Sequence, residues 1–397
     1  VTDREVVAEQ TAMRGLLGAV TADLGEPLAP AWEEAFWAVP RHRFLPDRVW
    51  LGAALDVCDR NTDPGGWLSA AYADGSVVTQ VNDGRDPGEG DPWPSSSASA
   101  PSIVFRMLGM LDVRTGHRVL EVGTGTGWNA GLLAHRVGAG NVTTIEVDPA
   151  LAAQAALNLK NTGLEPRVID GDGAAGHPAS APYDRIIATC SVREVPRAWL
   201  EQTRPGGVIL TPWETPWACY GLVRLVVEPE GPASGRFHPH SAFMLMRNQR
   251  TDLRIFRDVV RDEHVPDEST TDLSPWAVAG DDWAARFAVG LRTRDVWHAW
   301  HDDPDVDGVA ARLWLATTDA TSWAAVDWDG RTRERFTVWE HGPRRLWNEV
   351  ETAYAWWREV DRPGPERFGL TVATDGTHTP WLDRPDHPVP APVRPEA

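Results

Sequence analysis

His117-Arg118-Val119-Leu120-Glu121-Val122-Gly123-Thr124-Gly125-Thr126-Gly127-Trp128-Asn129 is the stretch on which the fold turns. An apolar strand over 118–122 runs into three glycines separated by single residues, and an apolar, helix-like segment over 130–137 follows. A backbone that turns sharply from strand to helix while approaching a ligand uses glycine because no Cβ intrudes. The spacing discriminates between ligands. A dinucleotide fingerprint runs G-x-G-x-x-G, whereas position 128 is Trp and the order here is E-x-G-x-G-x-G. That order suits a nucleoside without a pyrophosphate, with S-adenosylmethionine ahead of NAD.

Around this stretch the chain alternates. Strands are expected over 142–147, 167–170, 185–189 and 207–211, with helices over 149–161 and 196–202. Short apolar strands alternating with helices predict an α/β fold, a mostly parallel sheet covered on both faces. Ligands on such sheets bind at the carboxyl ends of the strands, which singles out Glu121, Gly123, Glu146, Asp172, Cys190 and Trp213. Glu146 closes the second strand, where an acid can accept both hydrogens of a ribose diol. Asp172, between Gly171 and Gly173, is either an acceptor for an adenine amino group, with Gly173 letting the ring approach, or an Asp-Gly turn. Glu121 either bonds the amides of the glycine loop or the amino group of a methionine moiety, or simply orients the loop.

Upstream, 1–55 reads as helical, with Pro27 and Pro30 breaking the first helix and a second running through Trp32, Ala35 and Phe36 to Pro40. Two prolines predict a short extended segment over 39–46. Residues 81–100 are dense in Gly, Pro, Asp and Ser and read as a loop. Its serines precede a helix start at Pro101, where hydroxyls cap the helix or bond a substrate carboxylate. Downstream, 223–227 and 242–246 read as an antiparallel hairpin. Beyond residue 249 the texture becomes a tryptophan-rich α+β pattern, with helices near 283–287 and 346–357 and strands near 311–316, 336–339 and 369–373. The tail over 385–397 is proline-rich. The expected organisation is an N-terminal helical segment (1–80), a loop near the substrate site (81–100), a cofactor-binding core (101–248) and an accessory α+β domain (249–397).

Composition sets bounds. With 397 residues and 42 % apolar content the chain has room for two cores. A formal charge of −19 speaks against nucleic acid and anionic membrane surfaces as partners, since both need clustered Lys and Arg. Cys58, Cys190 and Cys219 make neither a disulfide framework nor a zinc spacing. No stretch has the length and apolarity of a membrane span and the N-terminus lacks signal-peptide blocks, so a cytoplasmic protein is expected. Of 21 tryptophans, more than half lie beyond residue 270, and aromatic packing in a second core is their simplest explanation. His298, His301 and His341 match no metal-ligand spacing, and no metal is expected.

Taken together, the segments VLEVGTGTGWNA (119–130), TIE (144–146), Gly171-Asp172-Gly173, APYDRII (181–187), RPGGVILTP (204–212), VPRHRFLP (39–46), Ala71-Tyr72 and Ala100-Pro101 resemble the protein-L-isoaspartate O-methyltransferase family over roughly residues 30–248. The resemblance implies a class I, Rossmann-like methyltransferase sheet. It also implies S-adenosylmethionine as cofactor, S-adenosylhomocysteine as product, and an aspartyl or isoaspartyl carboxylate as acceptor. Cofactor contacts then fall to Glu121, Gly123, Thr124, Gly125, Gly127, Trp128, Asn129, Glu146, Val147, Asp172 and Gly173, and the carboxylate donors are Ser97 and Ser99. The serine segment departs from the Gln-Thr-Ile-Ser-Ala-Pro type of the repair enzymes, a Gly/Pro/Asp-rich insertion precedes it, and the chain runs some 150 residues past the family's usual end. HGPRRLWNEVETAYAWW (341–357) and RFGLTV (367–372) are similar to a bacterial subset that modifies ribosomally made peptides of lanthipeptide, lasso peptide or graspetide type. That likeness implies an aspartate of a cyclised precursor peptide as acceptor, methylated and collapsing to aspartimide or isoaspartate. Isoaspartyl repair in proteins is the alternative. Oligomeric state is not legible.

Overall fold

The computed structural model describes residues 3–85, 91–219, 221–229, 231–239, 241–302, 306–330 and 335–391. The chain divides into two compact units: 1–190 with 196–211 and 224–233, and 191–195 with 212–223 and 234–397.

In the first unit, helices α1 (Asp3–Leu24) and α2 (Pro30–Ala38) precede strands β1 (Arg48–Leu51) and β2 (Asp56–Asp59), helix α3 (Pro64–Ala71) and strands β3 (Val77–Val81) and β4 (Pro94–Ala98). Then come α4 (Pro101–Leu111), β5 (Val119–Val122), α5 (Trp128–Val137), β6 (Val142–Glu146), α6 (Pro149–Asn161), β7 (Arg167–Asp170), β8 (Tyr183–Ala188), α7 (Arg197–Gln202), β9 (Thr203–Pro212) and β10 (Leu222–Val227). The large sheet runs β10-β9-β8-β5-β6-β7, and β5 pairs in parallel with both β6 and β8. Every residue of β5, β6 and β8 is buried, as a parallel sheet sheathed by helices requires. Leu120, Ile145, Ile186 and Ile187 of its strands and Leu132, Leu133 and Leu159 of α5 and α6 are all buried, each such side chain contributing about 1.5–3 kcal/mol.

The helix boundaries follow from local chemistry. Pro149 occupies the first turn of α6, and the Asp148 carboxylate accepts the N–H groups of Ala150 and Leu151 at 3.0 and 3.3 Å. Pro101 opens α4, whose Ser102 N–H donates to Asp74 at 2.9 Å.

Upstream of α4, structure and expectation differ. Residues 41–44 form a 3₁₀ turn rather than an extended segment. The helical reading of 1–80 and the loop reading of 81–100 give way to a second, four-stranded sheet, β2-β1-β3-β4. Its β4 contains the serine run, and Val77 stands opposite Ala98 and Val78 opposite Ser97. Of the Gly/Pro/Asp stretch, 86–90 lie outside the described residues. Residues 242–246 form no extended strand; the strand after β10 is β11 (Ala233–His238).

The second unit is built on an antiparallel sheet of β12 (Asp267–Thr271), β16 (Phe336–His341), β15 (Trp323–Trp328), β14 (Ala311–Thr317) and β13 (Val296–Asp302), in that order. One face packs Leu313, Leu315, Val326 and Val338 against α8 (Pro275–Ala279), α9 (Trp283–Arg292) and α10 (Leu346–Glu359). The other buries Trp314 and Trp323 with Ile255 and Val259. Strands β17 (Phe368–Val372) and β18 (His378–Leu382) pair antiparallel. Gly369 is required there, since a Cβ would meet the Trp381 ring at 2.1 Å. Trp314, Trp323, Trp347, Trp357 and Trp381 are all buried, so much of the tryptophan excess is packing. No helix among the described residues is long and apolar enough to cross a membrane. None of the three cysteines is in a disulfide. The end of the tail, 392–397, lies outside the described residues.

Candidate active site

From β5 the chain winds outward through β6 and β7, then returns to lay β8 and β9 on the opposite side of β5. A crevice opens at such a reversal, outside the carboxyl ends of the strands, and the loop 123–127 leaves β5 there. All three glycines have positive φ (+92°, +53° and +92°), a region that costs other residues strain. The outer two are also packed. A Cβ on Gly123 would meet Thr189 Oγ1 at 2.8 Å, and one on Gly127 would meet Ala155 and Leu159 at 3.4 Å. Gly125 differs: its nearest neighbours would be Ser96 Oγ at 3.9 Å and the Ser97 carbonyl oxygen at 4.0 Å. The middle glycine therefore faces open space bounded by β4.

Glu146 ends β6 beside this loop. Its Oε2 accepts the Gly125 N–H at 2.8 Å and its Oε1 the Asp148 N–H at 3.1 Å. Glu121, for which the sequence leaves loop amides, a methionine amino group and a loop-orienting role all open, bonds side chains beneath the loop. It is fully buried; its Oε1 accepts from Asn129 Nδ2 at 2.6 Å and its Oε2 from the Thr144 hydroxyl at 2.5 Å, and Thr144 Oγ1 lies 2.6 Å from Thr124 Oγ1. The loop amide belongs to Glu146 because Gly125 lies over the end of β6, while Glu121 points beneath it. Burial, reinforced by the Glu146 charge and opposed by the Thr144 and Asn129 hydrogen bonds, pushes the Glu121 carboxyl up to about 7.

Other expected cofactor residues are partly committed. Asn129 spends its amide on Glu121. Trp128 is buried, donates its indole N–H to the Val39 carbonyl at 3.0 Å and packs edge-on against Phe105, so what it can offer a ligand is its backbone N–H at the start of α5. Asp172 is exposed and accepts the Ala174 N–H at 2.9 Å, the Asp-Gly turn geometry. Gly173 is held by packing, because a Cβ there would lie 2.3 Å from Val122 Cγ1. Val147, beside Glu146, is 43 % exposed and supplies an apolar edge. Gly173→Ala should therefore cost about 1–3 kcal/mol by overpacking, read as a lowered urea midpoint at unchanged slope.

On the acceptor side, Ser97 and Ser99 are partly exposed and, among the described residues, neither hydroxyl has a hydrogen-bond partner. Ser95 and Ser96 are buried in β4, Ser95 Oγ donating to Gln80 Oε1 at 2.9 Å. Gln80 Nε2 in turn donates to Asp148 at 2.9 Å. Sequence reasoning missed Gln80, Asp148, Thr144 and Thr189; only Asp148-Pro149, a helix-start signature, was there to be read. Cys190 follows β8 and is partly buried. His298 is held neutral, its pKa pushed down to about 4 chiefly by burial, with Nε2 3.1 Å from the Trp217 carbonyl oxygen. Among the described residues no group of His, Cys, Asp and Glu is placed to hold a metal.

A reversed parallel sheet, a three-glycine turn and an acid closing the second strand define an S-adenosylmethionine-dependent methyltransferase. The comparisons carry this further. Residues 30–218 match the family model "Protein-L-isoaspartate(D-aspartate) O-methyltransferase (PCMT)". The chain is 39 % identical over 182 residues to a protein-L-isoaspartate O-methyltransferase of Methanopyrus kandleri, covering 45 % of this chain and 67 % of that one. To the enzyme of the same name from Pyrococcus abyssi it is 39 % identical over 149 residues, 37 % of this chain and 68 % of that one. The chain belongs to the protein-L-isoaspartate O-methyltransferase family, whose members are S-adenosylmethionine-dependent carboxyl methyltransferases. A solved structure titled protein-L-isoaspartate O-methyltransferase shares the fold with a TM-score of 0.54 at 21 % identity, over 94 % of this chain and all of that one. Length beyond residue 248 is thus no departure from folds seen under that title.

Proposed function

We propose that this chain transfers a methyl group from S-adenosylmethionine to the free carboxylate of an isoaspartyl residue in a protein or peptide. The observation that carries the reading is the approach of Ser96 and Ser97 to Gly125, which gives the cofactor loop and the serine strand one crevice. In this reading Glu146 takes the ribose diol, and Asp172 and Val147 border the adenine. Gly123, Thr124, Gly125, Gly127 and the first N–H groups of α5 surround the methionine part. Glu121 holds Asn129 and Thr144 in place beneath them. Bound there, S-adenosylmethionine supplies a methyl carbon already made electrophilic by its sulfonium. An ionised acceptor carboxylate needs no general base: an oxygen lone pair forms the new C–O bond as the S–CH3 bond breaks, and S-adenosylhomocysteine departs neutral at sulfur. Ser97 and Ser99 donate hydrogen bonds that hold the carboxylate in line without protonating it, and such positioning is worth up to ~7–11 kcal/mol. The ester then loses methanol to the following backbone amide nitrogen, closing a succinimide.

Ser99→Ala should lower kcat/KM for an isoaspartyl peptide by roughly 10–100-fold, the worth of about 1.5–3 kcal/mol for a hydrogen bond to a charged group, with S-adenosylhomocysteine affinity unchanged. A methanol-release assay beside calorimetric titration reads both, and wild-type turnover in the variant removes Ser99 from the mechanism.

A second reading places the same chemistry on an aspartate of a cyclised ribosomal peptide. It rests on the serine-only acceptor segment and on the likeness of 341–357 to enzymes that modify such peptides. Comparing a linear isoaspartyl peptide with ring-constrained aspartyl peptides separates the two. Rapid turnover of the linear peptide favours the first reading; turnover confined to the constrained ones favours the second.

A further inference from the structure

Arg41 lies in the 3₁₀ turn 41–44 with only 1 % of its surface exposed. A guanidinium so deeply buried normally meets a carboxylate. This one meets backbone instead: Nη1 donates to the carbonyl oxygens of Ala71 and Ala73 at 2.9 and 3.3 Å, and Nη2 to those of Gly75, Ala98 and Ser99 at 3.0, 3.1 and 3.0 Å. Burial lowers its pKa to about 10, so it stays charged, with Asp74 acting through space in the opposite sense. Three of the five acceptors belong to the end of α3 and the turn after it. The other two are the last residue of β4 and Ser99 itself. Asp74, in that same turn, holds the Ser102 N–H at 2.9 Å. The link 98–102 is therefore pinned to the 71–75 turn from both sides, by a cation on its carbonyls and an anion on its amide.

We propose that Arg41 is a positioning residue for the methyl acceptor: by clamping the carbonyls of Ala98 and Ser99 it fixes where the Ser99 hydroxyl stands relative to the cofactor loop. The proposal rests on the reading of Ser99 as carboxylate donor. The planar fork spans the turn and the link, with Nη1 on Ala71 and Ala73 and Nη2 on Gly75, Ala98 and Ser99; a lysine ammonium keeps the charge but presents a single point. A hydroxyl set down one ångström away costs rate rather than cofactor affinity, because Arg41 makes no hydrogen bond to the glycine loop, and its one contact beside that loop, the guanidinium 5.6 Å from the Trp128 ring centroid, is a cation–π contact that a lysine can keep.

Arg41→Lys is tested in the full chain by three readouts. Titration with S-adenosylhomocysteine counts folded sites, and its affinity should stay within about threefold while kcat per site falls about 100-fold, the scale of an ångström of misplacement. Amide hydrogen exchange over 94–100 should quicken at least about tenfold, with 121–129 unchanged. Because Arg41 acts through Ser99, the loss in Arg41→Lys should not exceed that in Ser99→Ala, and Ser99→Ala added to Arg41→Lys should lower kcat little further. Unchanged exchange over 94–100, wild-type kcat per site, or loss of S-adenosylhomocysteine binding in both Arg41→Lys and Arg41→Gln would overturn the assignment. If the wild-type chain turns over no isoaspartyl peptide, it is the proposed function that fails, and the exchange result alone decides on Arg41.

Discussion

Glu146→Ala should weaken S-adenosylhomocysteine binding at least about 100-fold, more than 2.7 kcal/mol, while the circular dichroism of the chain is unchanged. Two losses combine. The carboxylate accepts the N–H groups of Gly125 and Asp148, and hydrogen bonds to a charged group are worth about 1.5–3 kcal/mol each. Without them Gly125, the one of the three loop glycines with open space beyond it, is no longer held, and the diol loses its acceptor as well. Asp148 still caps α6 through Oδ1, so the fold should survive. Affinity within about threefold of wild type by calorimetry would show that the ribose is held elsewhere.

The second large effect concerns Glu121. Its carboxyl is pushed up to about 7, first by burial and then by the Glu146 charge. In the unfolded chain it titrates near 4.5. Between those values the folded state holds a proton that the unfolded state has lost. The free energy of unfolding therefore falls as pH rises from about 4.5 to about 7 and levels off above. At ~1.4 kcal/mol per unit, the penalty at pH 8 is of the order of 2–4 kcal/mol. Glu121→Gln removes it and keeps the shape. The glutamine amide can donate to Thr144, whose hydroxyl then donates to Thr124, and its carbonyl can accept from Asn129. Urea melts should show the variant more stable than wild type at pH 8 and equal to it at pH 4. A constant difference across that range would mean that Glu121 does not titrate in the window.

What could be read from the sequence was what local chemistry determines. Helix α6 and strand β7 fall where expected because Asp148, Pro149 and Gly171 mark their limits. Strands β5, β6 and β8 are buried on both faces, and their apolar residues, with the glycine run after β5, mark them out although β6 (VTTIE) and β8 (YDRIIA) carry polar side chains. The small sheet was illegible for the opposite reason. Strands β1 and β2 have four residues each, with mixed exposure, and β4 is composed of Pro, Ser and Ala. Only its ladder with β3 makes it a strand, and a pairing partner is not a property of the segment itself. The site divides similarly. The glycine run and Glu146 are legible because the turn needs positive φ and the strand end needs an acid. Which of two neighbouring carboxylates takes the loop amide depends on how β5 and β6 lie together, and the sequence leaves the alternatives for Glu121 open. Trp128 sits inside the motif yet points into the core, and Arg41 belongs to a recognisable segment whose task emerges only when residues 71–75 and 98–99 fold onto it.

The most direct test of the central claim offers the enzyme an equimolar pair of isomeric peptides, one aspartyl and one isoaspartyl at the same position, with S-adenosylmethionine, followed by mass spectrometry. The account predicts a 14 Da gain on the isoaspartyl isomer alone. Loss of methanol to the succinimide should follow, with both steps absent in Glu146→Ala and slowed in Ser99→Ala. Equal methylation of both isomers, or a methyl group stable to mild base and therefore not a carboxyl ester, would contradict it.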